Sequence, residues 1–190
     1  MASARLAADL LGVVRLAVAA SLPWVFVRGG VLPLVLTAIA AGTDFVDGIV
    51  ARRAGPVAYG AVLDNVADIA LVLAATGTAA ALGLVTIAAP FAIAFAFGAY
   101  AIAWARRAGP GPARSRLGHA AGVANYTLAL LAAGALAAPS PAWRWTLVAA
   151  GWTVVAMNLG AVLASVLPPA WRGSSSTRAR ATPAAEPRAR

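Results

Sequence analysis

Six apolar runs, each about 20 residues long, dominate this chain, and a run of that length is what a helix needs to cross a bilayer. They fall roughly at Leu10–Val27, Val31–Val50, Ala61–Leu82, Val85–Ala105, Leu117–Ala138 and Trp145–Leu167. The breaks between them carry turn residues: Gly29-Gly30, Gly55-Pro56, Gly83, Gly109-Pro110-Gly111-Pro112 and Pro139-Ser140-Pro141. Trp24, Trp104, Trp143, Trp145 and Trp171 stand near the run ends, as interfacial aromatics do, while Trp152 falls inside the sixth run. With 62% hydrophobic residues, the chain is too apolar for an ordinary soluble domain. The expected fold is an all-α integral membrane bundle of six transmembrane helices over residues 1–170. Residues 171–190 are mostly Ser, Thr, Pro, Ala and Arg, cannot bury a core, and are expected to form a disordered cytoplasmic tail.

The net charge of +9 raises the question of nucleic acid, and its placement answers it. All fifteen basic residues are Arg. With the N-terminus inside, the cytoplasmic segments hold Arg5, Arg52, Arg53, Arg106, Arg107, Arg114, Arg116, Arg172, Arg178, Arg180, Arg188 and Arg190. The outer loops hold Arg28 and Arg144, and Arg15 lies within the first run. This asymmetry is the positive-inside bias, which puts both termini in the cytoplasm, with attraction to anionic lipid as a second role. The charge therefore encodes topology, and no nucleic-acid partner is expected. Arg without Lys, together with abundant Ala, points to a high-GC bacterial genome and hence to the inner (plasma) membrane. Asp9 borders the first run, Arg15 interrupts it and five further runs follow, so it reads as a span and not as a cleaved signal peptide. Met1–Asp9 is expected to form a short interfacial helix. There is no cysteine, and so no disulfide or thiol chemistry.

Four of the six acidic residues crowd into the stretch Thr43–Asp68: Asp44, Asp47, Asp64 and Asp68. A carboxylate at membrane depth costs about 3 kcal/mol on insertion scales, so something must offset four of them. Asp44 and Asp47 share a helix face at i,i+3, and Asp64 and Asp68 do so at i,i+4. The Gly55-Pro56 turn between the pairs brings both to the cytoplasmic ends of helices two and three. Hard oxygen ligands in that number suit Mg²⁺ or Mn²⁺, and four carboxylates could hold two such ions, an arrangement that clamps phosphoryl groups. Small Gly48, Ala51 and Gly60 would let a ligand approach.

The stretch resembles the signature of the CDP-alcohol phosphatidyltransferases, D-x2-D-G-x2-A-R, a spacer, then G-x3-D-x3-D. Asp44, Asp47, Gly48, Ala51, Arg52, Gly60, Asp64 and Asp68 occupy its eight fixed positions within 25 residues. The seven-residue spacer Arg53–Tyr59 is one residue shorter than is usual in the family. The resemblance implies transfer of the phosphatidyl group of CDP-diacylglycerol to an alcohol, with release of CMP, in a polar active-site cavity opening to the cytoplasm. It implies Mg²⁺ or Mn²⁺ on Asp44, Asp47, Asp64 and Asp68, with Asp68 also taking the proton of the attacking hydroxyl. It places Gly48, Ala51, Arg52 and Gly60 in the cytidine and diphosphate pocket, and it implies a homodimer.

Arg15 lies in a first-span stretch, LLGVVRLAVAA, of the kind in which the family often carries an Arg. It is read either as a snorkelling side chain or as a phosphate or cytidine contact at the depth of the Asp cluster. Arg106, Arg107, Arg114 and Arg116 surround the loop between helices four and five. They read as topology or as a pocket for an acceptor phosphate, Arg114 and Arg116 being the better placed. Glycerol 3-phosphate and inositol phosphate are thus the favoured acceptors. Ile69 follows Asp68, where relatives with phosphorylated acceptors often carry a basic residue, so serine and other alcohols stay open. His119, the lone histidine, is read as a surface residue and not a catalyst; Asn125, Tyr126 and Asn158 are read as helix-to-helix hydrogen bonds. Two other function classes are weighed. A small cation transporter would use the Asp cluster as its ion site, but the acids do not continue across the membrane. An inactive scaffold of the same fold is suggested by the shortened spacer.

Overall fold

Each of the apolar runs becomes a helix. The structure is a computed structural model that describes the backbone of residues 2–54, 58–106 and 116–166, with side chains described in 10–43, 65–106 and 116–166. Its elements are α1 (Ala2–Arg28), α2 (Leu32–Ala54), α3 (Ala58–Ala81), α4 (Ala88–Ala105), α5 (Arg116–Ala137) and α6 (Ala142–Val166). The tail 171–190, the Gly55-Pro56 turn and the loop holding Gly109 to Pro112 lie outside the described residues.

Four helical segments are long and apolar enough to cross a membrane: Leu10–Arg28, Ala88–Ala105, Arg116–Ala137 and Ala142–Val166. Among the described residues, α2 and α3 contribute the apolar segments Leu32–Thr43 and Asn65–Ala81.

At the N-terminus the stretch expected to form a short interfacial helix is helical and joins the first span without a break. Ala2 to Leu10 continue directly into α1. That stretch is rich in Ala, Leu and Arg, all strong helix formers, and contains neither Gly nor Pro to end a helix.

The turns follow from their glycines. At the end of α3 the Leu84 N–H donates to Ala79 O at 2.9 Å and the Gly83 N–H to Ala80 O at 2.9 Å, with Gly83 at φ +73°. This is a Schellman cap, and its left-handed residue is one that glycine adopts without strain. Gly29 and Gly30, at φ +71° and +78°, turn the chain from α1 to α2.

Packing is centred on α3, which touches α1, α2, α4 and α5; its contact with α1 is the most extensive in the fold. On the other side α5 packs against α2 and α6, and α6 against α4. The core is built of Leu22, Phe26, Leu71, Ile93, Leu128, Leu147 and Val154, with many alanines between them. Alanine lets the helices approach closely, which is how spanning helices gain packing energy without a hydrophobic drive from water. Gly151 shows how close: a Cβ placed there would stand 3.2 Å from Thr86 Cγ2, at the start of α4. Asn125 of α5 and Asn158 of α6 pair as expected: the Asn158 Nδ2 donates to Asn125 Oδ1 at 2.8 Å and to Val154 O at 2.9 Å, in a buried setting.

Both arginines assigned to the outer loops lie over indole rings, Arg28 over Trp24 at 3.5 Å and Arg144 over Trp145 at 5.6 Å. Trp24 and Trp145 are exposed, as is Trp152 on the outward side of α6. An exposed amphipathic pair of this kind suits the membrane boundary.

Candidate active site

Among the described residues, Arg15 is the charged side chain buried inside the bundle. Arg15 sits on α1 within the segment Leu10–Arg28, and its side chain is 1% exposed. A buried guanidinium keeps its charge, so it needs a partner. It finds one on α3: Arg15 Nη1 donates to Asp68 Oδ1 at 2.7 Å. The Tyr126 hydroxyl, from α5, donates to the same oxygen at 2.8 Å. Three helices therefore converge on one carboxylate. The Asp68 side chain is 28% exposed, so it lies at the boundary between the packed interior and open space, with the arginine behind it.

Local sequence explains why these residues can meet. Ala67, Leu71 and Val72 of α3 are buried, and Ala19 and Leu22 of α1 are buried in the same core. Small side chains around Asp68 bring α1 and α3 close enough for the ion pair. Tyr126 carries its ring among partly buried apolar residues and ends in a hydroxyl, and a buried tyrosine hydroxyl normally finds a partner.

The other acids lie in the same two helices. Asp44 and Asp47 are in α2, and Asp64 is in α3 with Asp68. Asp47 and Asp64 lie nearly the same distance from the ends of α2 and α3 that face the 55–57 connection, and Asp44 and Asp68 lie equally far from them. Counted along the two helices, the pairs therefore stand at matched positions from that connection. The side chains of Asp44, Asp47, Asp64, Gly48, Ala51, Arg52 and Gly60 lie outside the described residues, as does all of Arg114. Among the described residues there is no group of three or more metal-ligating side chains.

A match to the family model described as CDP-alcohol phosphatidyltransferase extends over residues 5–165, taking in all six helices and Arg15, Asp68 and Tyr126. The chain belongs to the CDP-alcohol phosphatidyltransferase family. Neither a curated protein nor a solved structure matches it. As a member of that family it is placed among membrane transferases of phospholipid biosynthesis, which move a phosphatidyl group from a CDP-alcohol to an alcohol.

Of the residues that sequence reasoning selected, the fold joins Arg15 directly to Asp68. Arg116 is exposed at the first residue of α5, three turns from Tyr126 along the helix and outside the buried node. His119 is exposed in the first turn of α5, as expected of a surface residue. Sequence reasoning missed the role of Tyr126. It was expected to bond between helices, and it does, but its partner is the acid at the centre of the site. The signal was there in principle: a tyrosine in an Ala-rich span needs an acceptor, and carboxylates are the strongest ones such a bundle contains.

Proposed function

We propose that the protein transfers the phosphatidyl group of CDP-diacylglycerol to a small alcohol, releasing CMP, with Asp68 as the general base. The observation that carries this reading is the seating of Asp68. The last acid of the family pattern is the one held by Arg15 and Tyr126, mostly in the core and partly open.

In the reaction, the acceptor hydroxyl oxygen forms a bond to the phosphorus that bears the diacylglycerol. The bond from that phosphorus to the CMP oxygen breaks, and CMP leaves with its electron pair. The hydroxyl proton passes to the Asp68 carboxylate. A base held at a fixed angle performs this transfer better than one free to turn. Arg15 and Tyr126 supply the hold.

The donor set fits a hard divalent cation: four carboxylates in pairs on adjoining helices at matched positions. Asp44, Asp47, Asp64 and Asp68 would hold Mg²⁺ or Mn²⁺, two ions together, and the metal when bound would neutralise the diphosphate and the charge that develops on the leaving CMP. Gly48 and Gly60, lacking side chains, and Ala51 would leave room for the cytidine and diphosphate beside Arg52. Arg15 would lend part of its charge to the diphosphate, and Arg114 and Arg116 would bind an acceptor phosphate. Glycerol 3-phosphate and inositol phosphate are the acceptors such a pair suits. All six helices would cross the membrane, with both termini and the cavity on the cytoplasmic side. The bundle would act as a homodimer in the inner membrane of a bacterium.

The test is CMP release from CDP-diacylglycerol by the purified protein in detergent with Mg²⁺, against a panel of acceptors. Release that needs one acceptor supports the reading and names the substrate. No release with any acceptor, from protein shown to be folded, together with cation flux in sealed vesicles, would replace it with an ion pathway.

A further inference from the structure

We propose that Tyr126 is a positioning residue for the general base: its hydroxyl, delivered by α5, fixes the rotation of the Asp68 carboxylate. This rests on the reading of Asp68 as the base.

The carboxylate torsion of an aspartate is soft and roughly two-fold, so a single donor leaves it room to turn. Here two donors meet one oxygen from different helices. Arg15 Nη1 approaches from α1 at 2.7 Å and the Tyr126 hydroxyl from α5 at 2.8 Å. Two donors fixed in different helices restrict the turn of the carboxylate more than either would alone. The two donors differ in kind. Arg15 brings charge and hydrogen bonding at once, so replacing it disturbs both. Tyr126 brings no charge, so its removal alters the orientation of Asp68 and leaves the charge of the site unchanged.

The surrounding helices make this hold rigid. α5 packs against α2 and α3 on one side and against α6 on the other. Leu128 and Ala129, on the following turn, are fully buried in the core. The tyrosine therefore reaches Asp68 from a helix whose own position is secured on two sides. A shift of α5 relative to α3 would be felt at the base first.

Tyr126→Phe keeps the ring and removes only the hydroxyl. The expected result is a fall in kcat of about 10- to 100-fold with the KM for the CDP-lipid unchanged, because misplacing a catalytic group is costly even when binding is intact. In an Asp68→Asn background the same change should add no further loss of turnover, since the proposed effect on the reaction runs through that carboxylate. An infrared comparison of protein labelled with ¹³C at its aspartate carboxyls supplies a readout that needs no turnover. The band that disappears in Asp68→Asn should shift in Tyr126→Phe. An unchanged kcat, an additive loss in the double variant, or an unshifted band would each overturn the proposal. Should the wild-type protein release no CMP at all, the assignment of function falls; a band shift then still supports the hold on Asp68, and an unshifted band removes that too.

Discussion

Arg15 and Asp68, 53 residues apart in sequence, form an ion pair with Nη1 and Oδ1 2.7 Å apart, and the two partners differ sharply in exposure, at 1% and 28%. The pair is therefore lopsided. The cation has no route to water, while the anion faces partly into open space. The consequences of breaking it depend on which partner is removed.

Replacing Asp68 with Ala takes the 2.7 Å carboxylate partner away from a buried guanidinium. The expected loss of stability is about 3–5 kcal/mol. Replacing Arg15 with Met leaves a carboxylate that is partly solvated and still bonded to Tyr126, so the loss should be smaller, about 1–3 kcal/mol. Thermal unfolding of the two variants in the same detergent gives the order directly. The reverse order would mean that Arg15 is not held chiefly by Asp68.

The Asn125–Asn158 pair lies outside the site and should affect stability alone. Asn158→Leu removes the 2.8 Å bond and leaves the Asn125 amide buried without that partner. The expected loss is about 1 kcal/mol, with CMP release per folded molecule unchanged. A loss of turnover larger than the loss of folded protein would tie this pair to the reaction.

Gly151 tests the contact between α6 and the start of α4. A single added methyl would meet Thr86 Cγ2 at 3.2 Å, a gap that a small shift can relieve. A leucine cannot be fitted that way and must push the helices apart. Gly151→Leu should cost about 1–3 kcal/mol, and Gly151→Ala much less. Melting temperatures of the two variants decide it.

Metal removal should silence the enzyme without unfolding it. The helices pack through the apolar core of Leu22, Phe26, Leu71 and Leu128, which does not involve the acids. A chelator should stop CMP release while leaving the helical circular dichroism spectrum unchanged, and added Mg²⁺ should restore activity. Release that persists in excess chelator would contradict the assigned carboxylate site.

Much of the fold was legible because hydropathy and turn residues report on the same boundaries. Gly83, placed between two apolar runs, caps α3 as its position implied. Hydropathy was less useful where a helix leaves the apolar region: α1 begins at Ala2 and α6 at Ala142, short of the apolar cores, since helix propensity continues where hydrophobicity stops. In the site, Asp68 stood out by pattern and Arg15 by being a charge within an apolar run. Their pairing, and the reach of Tyr126 across 58 residues, depend on how α1 and α5 are rotated against α3. Alanine occurs on every side of α5, so no stripe of larger side chains marks its inward face and hydropathy alone could not set that rotation.

The proposed transfer depends most directly on Asp68. The measurement is acceptor-dependent CMP release by wild type and Asp68→Asn, side by side, with binding of the CDP-lipid followed on the same samples. Asparagine keeps an oxygen for Arg15 and Tyr126 and loses the ability to take a proton. The predicted result is a fall in turnover of about 10²–10⁴-fold with the protein folded and the lipid still bound. Turnover close to wild type in Asp68→Asn would contradict it.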